Sequence, residues 1–419
     1  MNHPRPATPL ATAQSAEPPA RDFEVISLIG FAHAVSHFFH LLLPPLFPWL
    51  MNDFGLSFSA IGMTMTIFFV VSAIGQALAG FLVDRYGAAR VLAGGIACFA
   101  AAALLLALAD GYAMLALVGG VAGLGNSVFH PADFTVLNRH VSSPRLPHAF
   151  SIHGLSGNLG WALAPVFLTA LAAAFGWRLA ALAAAGLALF ALALLFSRRQ
   201  TLADPPGWVA GATSGLGGGE PAMSTFAFLR APGVWLCFLF FLLITTAFGA
   251  IQNFATPILQ NLHGLSLAAG ATALSAYLAG GAGGILAGGF LARKGEHEKL
   301  IAAALLVAAL LALLVAGVPL AAPAVLPLMA AIGFCTGIAG PSRDLLVRRA
   351  ATSRFGQAAY GRVYGFVYSG LDSGLALAPL VFGGLMDGRR FAAVLVGVAA
   401  LQGLAVLTAL GVGATTRAP

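Results

Sequence analysis

Twelve long apolar runs dominate this chain, and they leave it almost no choice of surroundings. They lie near residues 25 to 50, 57 to 83, 89 to 109, 112 to 138, 147 to 174, 177 to 196, 231 to 261, 267 to 292, 299 to 318, 322 to 347, 357 to 386 and 391 to 412. A helix of about 20 residues crosses a hydrocarbon layer about 30 Å thick with its backbone N–H and C=O groups bonded internally, which a lipid-exposed loop cannot do. Charged residues are 8% of the chain and hydrophobic ones 59%, whereas a soluble domain carries about 25% charge. A water-facing shell cannot be assembled from this supply, so the expected fold class is an all-α membrane protein with twelve transmembrane helices.

Orientation follows from the basic residues, because cytoplasmic loops retain Lys and Arg. With the N-terminus inside, the opposite face receives only Arg178, Arg389 and Arg390, while Arg343 falls within a span and the rest of the 21 basic residues fall on the cytoplasmic side. The net charge of +7 is therefore a topology signal, and no nucleic-acid partner is expected. Residues 1–22 read as a disordered cytoplasmic tail without the n-region and h-region of a signal peptide. Cys98, Cys237 and Cys335 stand alone, without metal or disulfide spacing.

After the sixth run, Ser197-Arg198-Arg199 leads into a Gly- and Pro-rich stretch, read as a cytoplasmic linker over 198–229 between bundles at 23–197 and 230–412, with a cytoplasmic tail at 413–419. An internal repeat supports the division. Asn158-Leu159-Gly160-Trp161-Ala162-Leu163-Ala164-Pro165 mirrors Asp372-Ser373-Gly374-Leu375-Ala376-Leu377-Ala378-Pro379, and His130-Pro131-Ala132-Asp133 aligns with Gly340-Pro341-Ser342-Arg343. The small residues repeat, as close helix packing requires. The polar ones change character, which is the signature of a site laid asymmetrically on a symmetric backbone.

An ionisable residue at the bilayer centre costs roughly 2.5–3.5 kcal/mol on insertion scales, so each one needs a partner, water or a task. His33, His37 and His40 share one face of the first span at i, i+4 and i+7. His130 and Asp133 share a face of the fourth; His153 and Asn158 lie in the fifth, Gln252 and Asn253 in the seventh, Arg343 and Asp344 in the tenth, and Asp372 in the eleventh. Counting from the ends of the runs places His37, His40, His130, Asn158 and Asp372 near the midplane. Histidine, with a reference pKa of about 6.5, suits proton coupling, and a desolvated Asp372 can serve likewise. Asp133 and Arg343 are equally readable as an ion pair or as substrate contacts. Three His on a face also raise a metal site, but no Cys or carboxylate accompanies them in that span, so no metal ligand set is assigned. HExxH and GxxxxGK[ST] are both absent, so neither an enzyme nor an ATP-driven pump is expected, and no cofactor. A metal-dependent membrane enzyme or a sensor is the remaining alternative of another class.

Between the second and third runs stands Gly80-Phe81-Leu82-Val83-Asp84-Arg85-Tyr86-Gly87-Ala88-Ala89-Arg90. This stretch resembles the signature loop of the major facilitator superfamily of transporters through Gly80, Leu82, Asp84, Arg85 and Gly87, with Arg90 arriving later than the family's usual basic pair. A second copy, Gly289-Phe290-Leu291-Ala292-Arg293-Lys294-Gly295, lacks the Asp. The stretches Phe31-Ala32-His33, Asn52-Asp53-Phe54-Gly55-Leu56-Ser57-Phe58, Gly125-Asn126-Ser127-Val128-Phe129-His130-Pro131 and Gly157-Asn158-Leu159-Gly160 are similar to the fosmidomycin resistance type of bacterial exporter, a likeness that fades in the second half. The resemblance implies two pseudo-symmetric six-helix bundles and glycines that let helices approach at the loop. It gives Gly80, Asp84, Arg85, Gly87 and Arg90 a gating role, and it has spans 1, 4, 7 and 10 line a central cavity, which would point the histidine face and His130 at the substrate path. It implies alternating access by a secondary active transporter in a bacterial inner membrane, working as a monomer. The expected activity is proton-coupled efflux of a small, anionic molecule, with an uptake symporter for an organic acid or metal chelate as the alternative.

Overall fold

The computed structural model describes residues 19–203, 227–292, 296–355 and 360–417, and those residues form helices joined by short turns with no strand among them. Among the described residues, twelve candidate spans are present. The first is broken into α1 (Pro19–His40), a 3₁₀ turn at Pro44–Leu46 and α2 (Phe47–Phe54); α3 (Phe58–Tyr86) and α4 (Ala88–Ala107) follow. The fourth span is also broken, into α5 (Tyr112–Asn126) and α6 (Phe129–His140), before α7 (Leu146–Phe175) and α8 (Trp177–Ser197) complete the N-terminal bundle. The C-terminal bundle holds α9 (Pro232–His263), α10 (Leu267–Leu291), α11 (His297–Gly317), α12 (Ala322–Phe355), α13 (Tyr360–Asp387) and α14 (Phe391–Arg417).

Both breaks have a covalent cause. Pro44, Pro45 and Pro48 supply no N–H to continue α1, and Pro131 cannot donate back to Ser127, where α5 stops. Pro165, Pro257, Pro327, Pro341 and Pro379 sit inside unbroken helices. The N-terminal boundary differs from expectation: α1 begins at Pro19, inside the stretch read as a tail. Asp22 is buried there, and its carboxylate accepts from Ser142 Oγ (2.5 Å) and Arg145 Nη1 (2.7 Å), tying the start of α1 to the α6–α7 turn. Residues 1–18, most of the linker (204–226) and 418–419 lie outside the described residues.

The repeat anticipated from sequence is visible as packing. A Cβ at Gly160 on α7 would lie 2.0 Å from the Ala34 carbonyl of α1, and one at Gly374 on α13 would lie 2.6 Å from the Leu242 carbonyl of α9. The turns repeat too. Gly55 and Gly264, both in the left-handed region (φ 63° and 65°), end α2 and α9, and two residues later Ser57 and Ser266 cap α3 and α10 by accepting from Ala60 and Ala269 N–H. Each serine cap contributes on the order of 1 kcal/mol. Large apolar side chains such as Phe81, Leu108, Phe175, Phe190, Phe290, Leu310 and Leu407 remain exposed, the surface expected of a lipid-embedded bundle.

The bundles meet chiefly through α3 with α13 and α7 with α10. At the face opposite the N-terminus the contact is a cross-bundle cap: Asp387, closing α13, accepts from the Phe58 N–H (2.6 Å), the Ser59 N–H (3.1 Å) and the Ser59 hydroxyl at the start of α3. The positive end of the α3 dipole favours that carboxylate. Deeper in, Thr66 Oγ1 donates to the Ala376 carbonyl (2.8 Å) and Gly62 abuts Pro379. Asp387→Ala is expected to weaken this seal by about 0.5–2 kcal/mol, the usual worth of a cap, and so to raise the population open at this end roughly 2- to 30-fold. Alkylation of a cysteine introduced at Ser59 or Gly383, which abut one another, would report it; unchanged labelling rates would remove Asp387 from the seal.

Candidate functional site

A cavity of about 150 Å³ opens between the bundles from mid-depth toward the N-terminal face. Asn158 and Trp161 of α7 form one wall. The C-terminal bundle supplies the rest, including Phe240, Thr245 and Phe248 of α9, Tyr277 of α10, Thr336 and Arg343 of α12, and Leu371 and Leu375 of α13. Small residues shape the wall: a Cβ at Gly333 would lie 1.8 Å from the Tyr277 carbonyl oxygen and one at Gly337 would lie 2.1 Å from that of Gly281, so α10 and α12 touch backbone to backbone. Arg343 lies over the Phe241 ring (4.5 Å) and its Nε donates to Asp344 Oδ1 (2.9 Å), which also accepts from Tyr368 OH (3.1 Å). This places one guanidinium, held by an aromatic face and a carboxylate, at the end of a chamber whose other walls are apolar, aromatic or, at Asn158, Thr245 and Thr336, neutral polar.

The histidines are elsewhere. His33, His37 and His40 are buried, and their rings turn into the N-terminal bundle, so they do not form the lining of this cavity. The reason is local chemistry. Asp133 on α6 is fully buried, and one of its oxygens accepts from His33 Nδ1 (3.1 Å) and from His153 Nε2 of α7 (3.0 Å). Gly157 leaves room for His33 and His37 against α7; a Cβ there would lie 2.7 Å from the His37 ring. Asp133 thus pairs with imidazoles, and of the two readings left open for Asp133 and Arg343 the direct ion pair is not formed: Asp133 meets His33 and His153 in one bundle, and Arg343 meets Asp344 in the other.

The predicted histidine stripe divides. His33 stacks on His153 (ring centroids 3.6 Å apart) and lies beside His37 (4.4 Å) and His130 (5.5 Å). His130, half-buried on α6, meets Gln76 Oε1 (3.2 Å) through its Nδ1. The His40 ring stays stacked on His37 (4.8 Å) but hydrogen-bonds into a different network, in which its Nε2 and Ser36 Oγ both meet Asn126 Oδ1 (2.7 and 3.2 Å), while Asn126 Nδ2 donates to Ser72 Oγ (2.8 Å). Trp161 joins the two regions. Its ring lies 4.1 Å from that of His37 and 5.2 Å from that of Phe248, and its indole N–H has no hydrogen-bond partner among the described residues.

Of the other sequence candidates, Asn158 lines the cavity and donates to its own helix at Gly154 (2.9 Å). Asp372 is half-buried beside the lining residue Leu371, with no hydrogen-bond or ion-pair partner among the described residues. Gln252 and Asn253 are buried in α9, away from this lining; Asn253 bonds to Gly249 O (2.7 Å). In the signature loop Gly87 (φ 85°) joins α3 to α4, a conformation that suits glycine. Arg85 and Arg90 are exposed beside Arg199 around a surface groove. Gly80 has nothing within 4 Å of where a Cβ would stand, so the close helix approach implied by the resemblance is not made there in this state. Arg293, Lys294 and Gly295 of the second copy lie outside the described residues. Sequence reasoning did not single out Trp161, Tyr277, Gln76 or Asn126 as site residues. Asn126 and Trp161 lay inside quoted motifs, whereas Tyr277 and Gln76 are single residues on glycine-rich helices and carry no sequence signal.

The Major Facilitator Superfamily family model matches residues 29–379. Within the first half, the chain is 32% identical over 170 residues to the fosmidomycin resistance protein of Escherichia coli (strain K12), an alignment covering 40% of this chain and 41% of that protein, so it spans about two fifths of that relative's length. A gallate transporter of Pseudomonas putida is 27% identical over 399 residues, 86% of each chain. Among solved structures, a bacterial homologue of the human lysosomal transporter Spinster, in an inward-facing and occupied conformation, superposes with a TM-score of 0.73 at 14% identity, covering 94% of this chain and 96% of that one. A point mutant of the nucleoside transporter NupG gives 0.74 at 15% identity, covering 93% and 99%. At such identities the structures speak for the fold alone. Two six-helix bundles with repeated packing, a chamber between them, the signature loop and the family match over most of the chain together show that this is a multi-pass membrane protein belonging to the Major Facilitator Superfamily of transporters.

Proposed function

We propose that this chain is a secondary active transporter for a small organic anion with an aromatic or apolar body, working by proton-coupled alternating access. One observation carries the reading: a single guanidinium, Arg343, stands at the end of a chamber walled by Trp161, Phe240, Phe248 and Tyr277. A guanidinium fork holds two acceptor oxygens of a carboxylate or phosphonate, and the rings offer stacking surface for the body. Asn158, Thr245 and Thr336 add neutral hydrogen-bonding groups. The basic residues favour cytoplasmic termini in a bacterial inner membrane, and with that orientation the chamber faces the cytoplasm. Export is the direction favoured by the fosmidomycin relative; the nearly full-length match to a gallate transporter favours uptake of an aromatic acid as the second reading. In either direction the working unit is one chain.

Aromatic carboxylates are expected to stabilise the purified protein against heat, by about 2.7 kcal/mol at 100 times their Kd, whereas the matching amides give little. Equal stabilisation by both would overturn the anion assignment. Asp372 is the proposed proton carrier, because it is a half-buried carboxylate beside the chamber with no protein partner among the described residues. Asp372→Asn is expected to abolish the response of transport to an imposed pH gradient in proteoliposomes while leaving gradient-free exchange of substrate in place. Coupling that survives the substitution would release Asp372 from the scheme.

A further inference from the structure

Five imidazole and carboxylate side chains from three helices gather where the sequence showed only a stripe on one. The potential ligand atoms of His33, His37 and His130 all lie within 4.8 Å of one another, and so do those of His33, Asp133 and His153. His33 belongs to both groups, and the roles of its nitrogens separate: Nδ1 is directed at Asp133 (3.1 Å), leaving Nε2 for another partner. His37 is 8% exposed and its Nδ1 has no partner among the described residues; His130 uses Nδ1 on Gln76 and keeps Nε2.

We infer that the N-terminal bundle holds a divalent first-row transition ion of the Zn²⁺ type, ligated by His33, His37 and His130. Zinc–imidazole bonds of about 2.0–2.1 Å in a tetrahedron require nitrogens a little over 3 Å apart, so ring rotations and small shifts convert the observed spacing into a ligand set. Three neutral imidazoles without thiolate suit Zn²⁺, Co²⁺ or Ni²⁺ and disfavour hard cations such as Mg²⁺ or Ca²⁺. Asp133 supplies what metal-bound histidines ordinarily need, a carboxylate on the far ring nitrogen that fixes the tautomer and orientation. His153 shares that carboxylate and steadies it from α7. The fourth position goes to water, while Gln76 Oε1, 3.2 Å from His130 Nδ1, holds the far ring nitrogen of that ligand. The ion pins α1 to the first turn of α6, just past the break between α5 and α6. Its presence is felt at the chamber through one ring, because Trp161 lies against His37 and also lines the cavity. The assignment does not depend on which solute the chamber takes.

The test uses the full chain, purified in detergent with any affinity tag removed and stripped with chelator. On addition of Co²⁺ it is expected to take up one ion per chain with the visible d–d bands of four-coordinate cobalt, displaced by Zn²⁺. In a chain whose other four tryptophans are replaced by Phe, Trp161 fluorescence should be quenched by Ni²⁺ in a parallel titration. His37→Gln combined with His130→Gln, which roughly preserves volume, should lose the bands and the quenching while eluting as the parent does. Asp133→Asn should weaken binding about 10- to 100-fold while keeping the cobalt spectrum, a split that a merely structural aspartate would not produce. His148→Ala, at an exposed histidine on α7, should retain the ion. No uptake of Co²⁺ or Zn²⁺ at micromolar free metal, retention by the double variant, or loss in His148→Ala would each overturn the assignment.

Discussion

Arg343→Ala is expected to lower kcat/KM for organic anions roughly 10- to 100-fold, because hydrogen bonds from a guanidinium to a charged partner contribute about 1.5–3 kcal/mol and this one is partly exposed. The guanidinium is held in place before any solute arrives, by the Phe241 ring at 4.5 Å and by Asp344 at 2.9 Å. Part of any loss in the alanine variant therefore belongs to the stranded Asp344, and Arg343→Ala with Asp344→Ala in one chain separates the two effects. Arg343→Lys keeps the charge but not the planar fork or its stacking on Phe241, so it should recover only a fraction of the rate. Counterflow in proteoliposomes measures all three. Wild-type counterflow of aromatic carboxylates by Arg343→Ala would move the anion end of the site elsewhere.

The second large effect is on folding. Gly333→Ala and Gly337→Ala each insert a methyl group where α10 and α12 already touch, 1.8 Å and 2.1 Å from carbonyl oxygens of the facing helix. A carbonyl cannot rotate away as a side chain can, so the helices must separate along the whole contact that also runs through Gly280, Gly284 and Gly288. Each substitution is expected to cost about 1–3 kcal/mol, toward the upper end, and the pair, sharing one contact, should not be additive. Because Gly333 and Gly337 also form the cavity wall, ligand stabilisation should fall together with the unfolding temperature. Gly289→Ala on the same α10, where nothing lies within 4 Å, should stay within about 0.5 kcal/mol of the parent. Equal losses at positions 289 and 333 would show that backbone contact is not the cause.

The number of spans, the division into halves and the packing role of Gly160 and Gly374 were legible because hydropathy and small-residue spacing are local properties of the chain. The breaks at Pro44-Pro45 and Pro131 were written in the residues too, but proline is tolerated in so many membrane helices that position alone does not separate Pro131, which breaks one, from Pro165, which does not. The site was harder. The periodicity of His33, His37 and His40 correctly placed three rings on one side of α1, yet periodicity does not state which neighbour that side meets. It met Asp133 and His153 at one level and Asn126 at another, and so the stripe split. The partners come from helices about a hundred residues away in sequence, and only tertiary packing decides among them. Arg343 was singled out because its symmetric counterpart is Asp133, a difference visible in the aligned repeat. Tyr277 and Phe248 could not be found, since an aromatic residue in a membrane helix faces lipid as readily as a chamber.

The chamber is lopsided: Asn158 and Trp161 are its contribution from the N-terminal bundle, and every other wall belongs to the C-terminal one. A solute seated against Arg343, Thr245 and Thr336 would ride with the C-terminal half as the molecule rocks, keeping those contacts in both orientations. Differential affinity sets how far a ligand can bias two states. Here it reduces to what two side chains on α7 gain or lose, so loaded carriers should distribute nearly evenly between the two sides. On the proposed proton-coupled alternating access, such an arrangement makes the carrier reversible, with its net flux set by the solute and proton gradients.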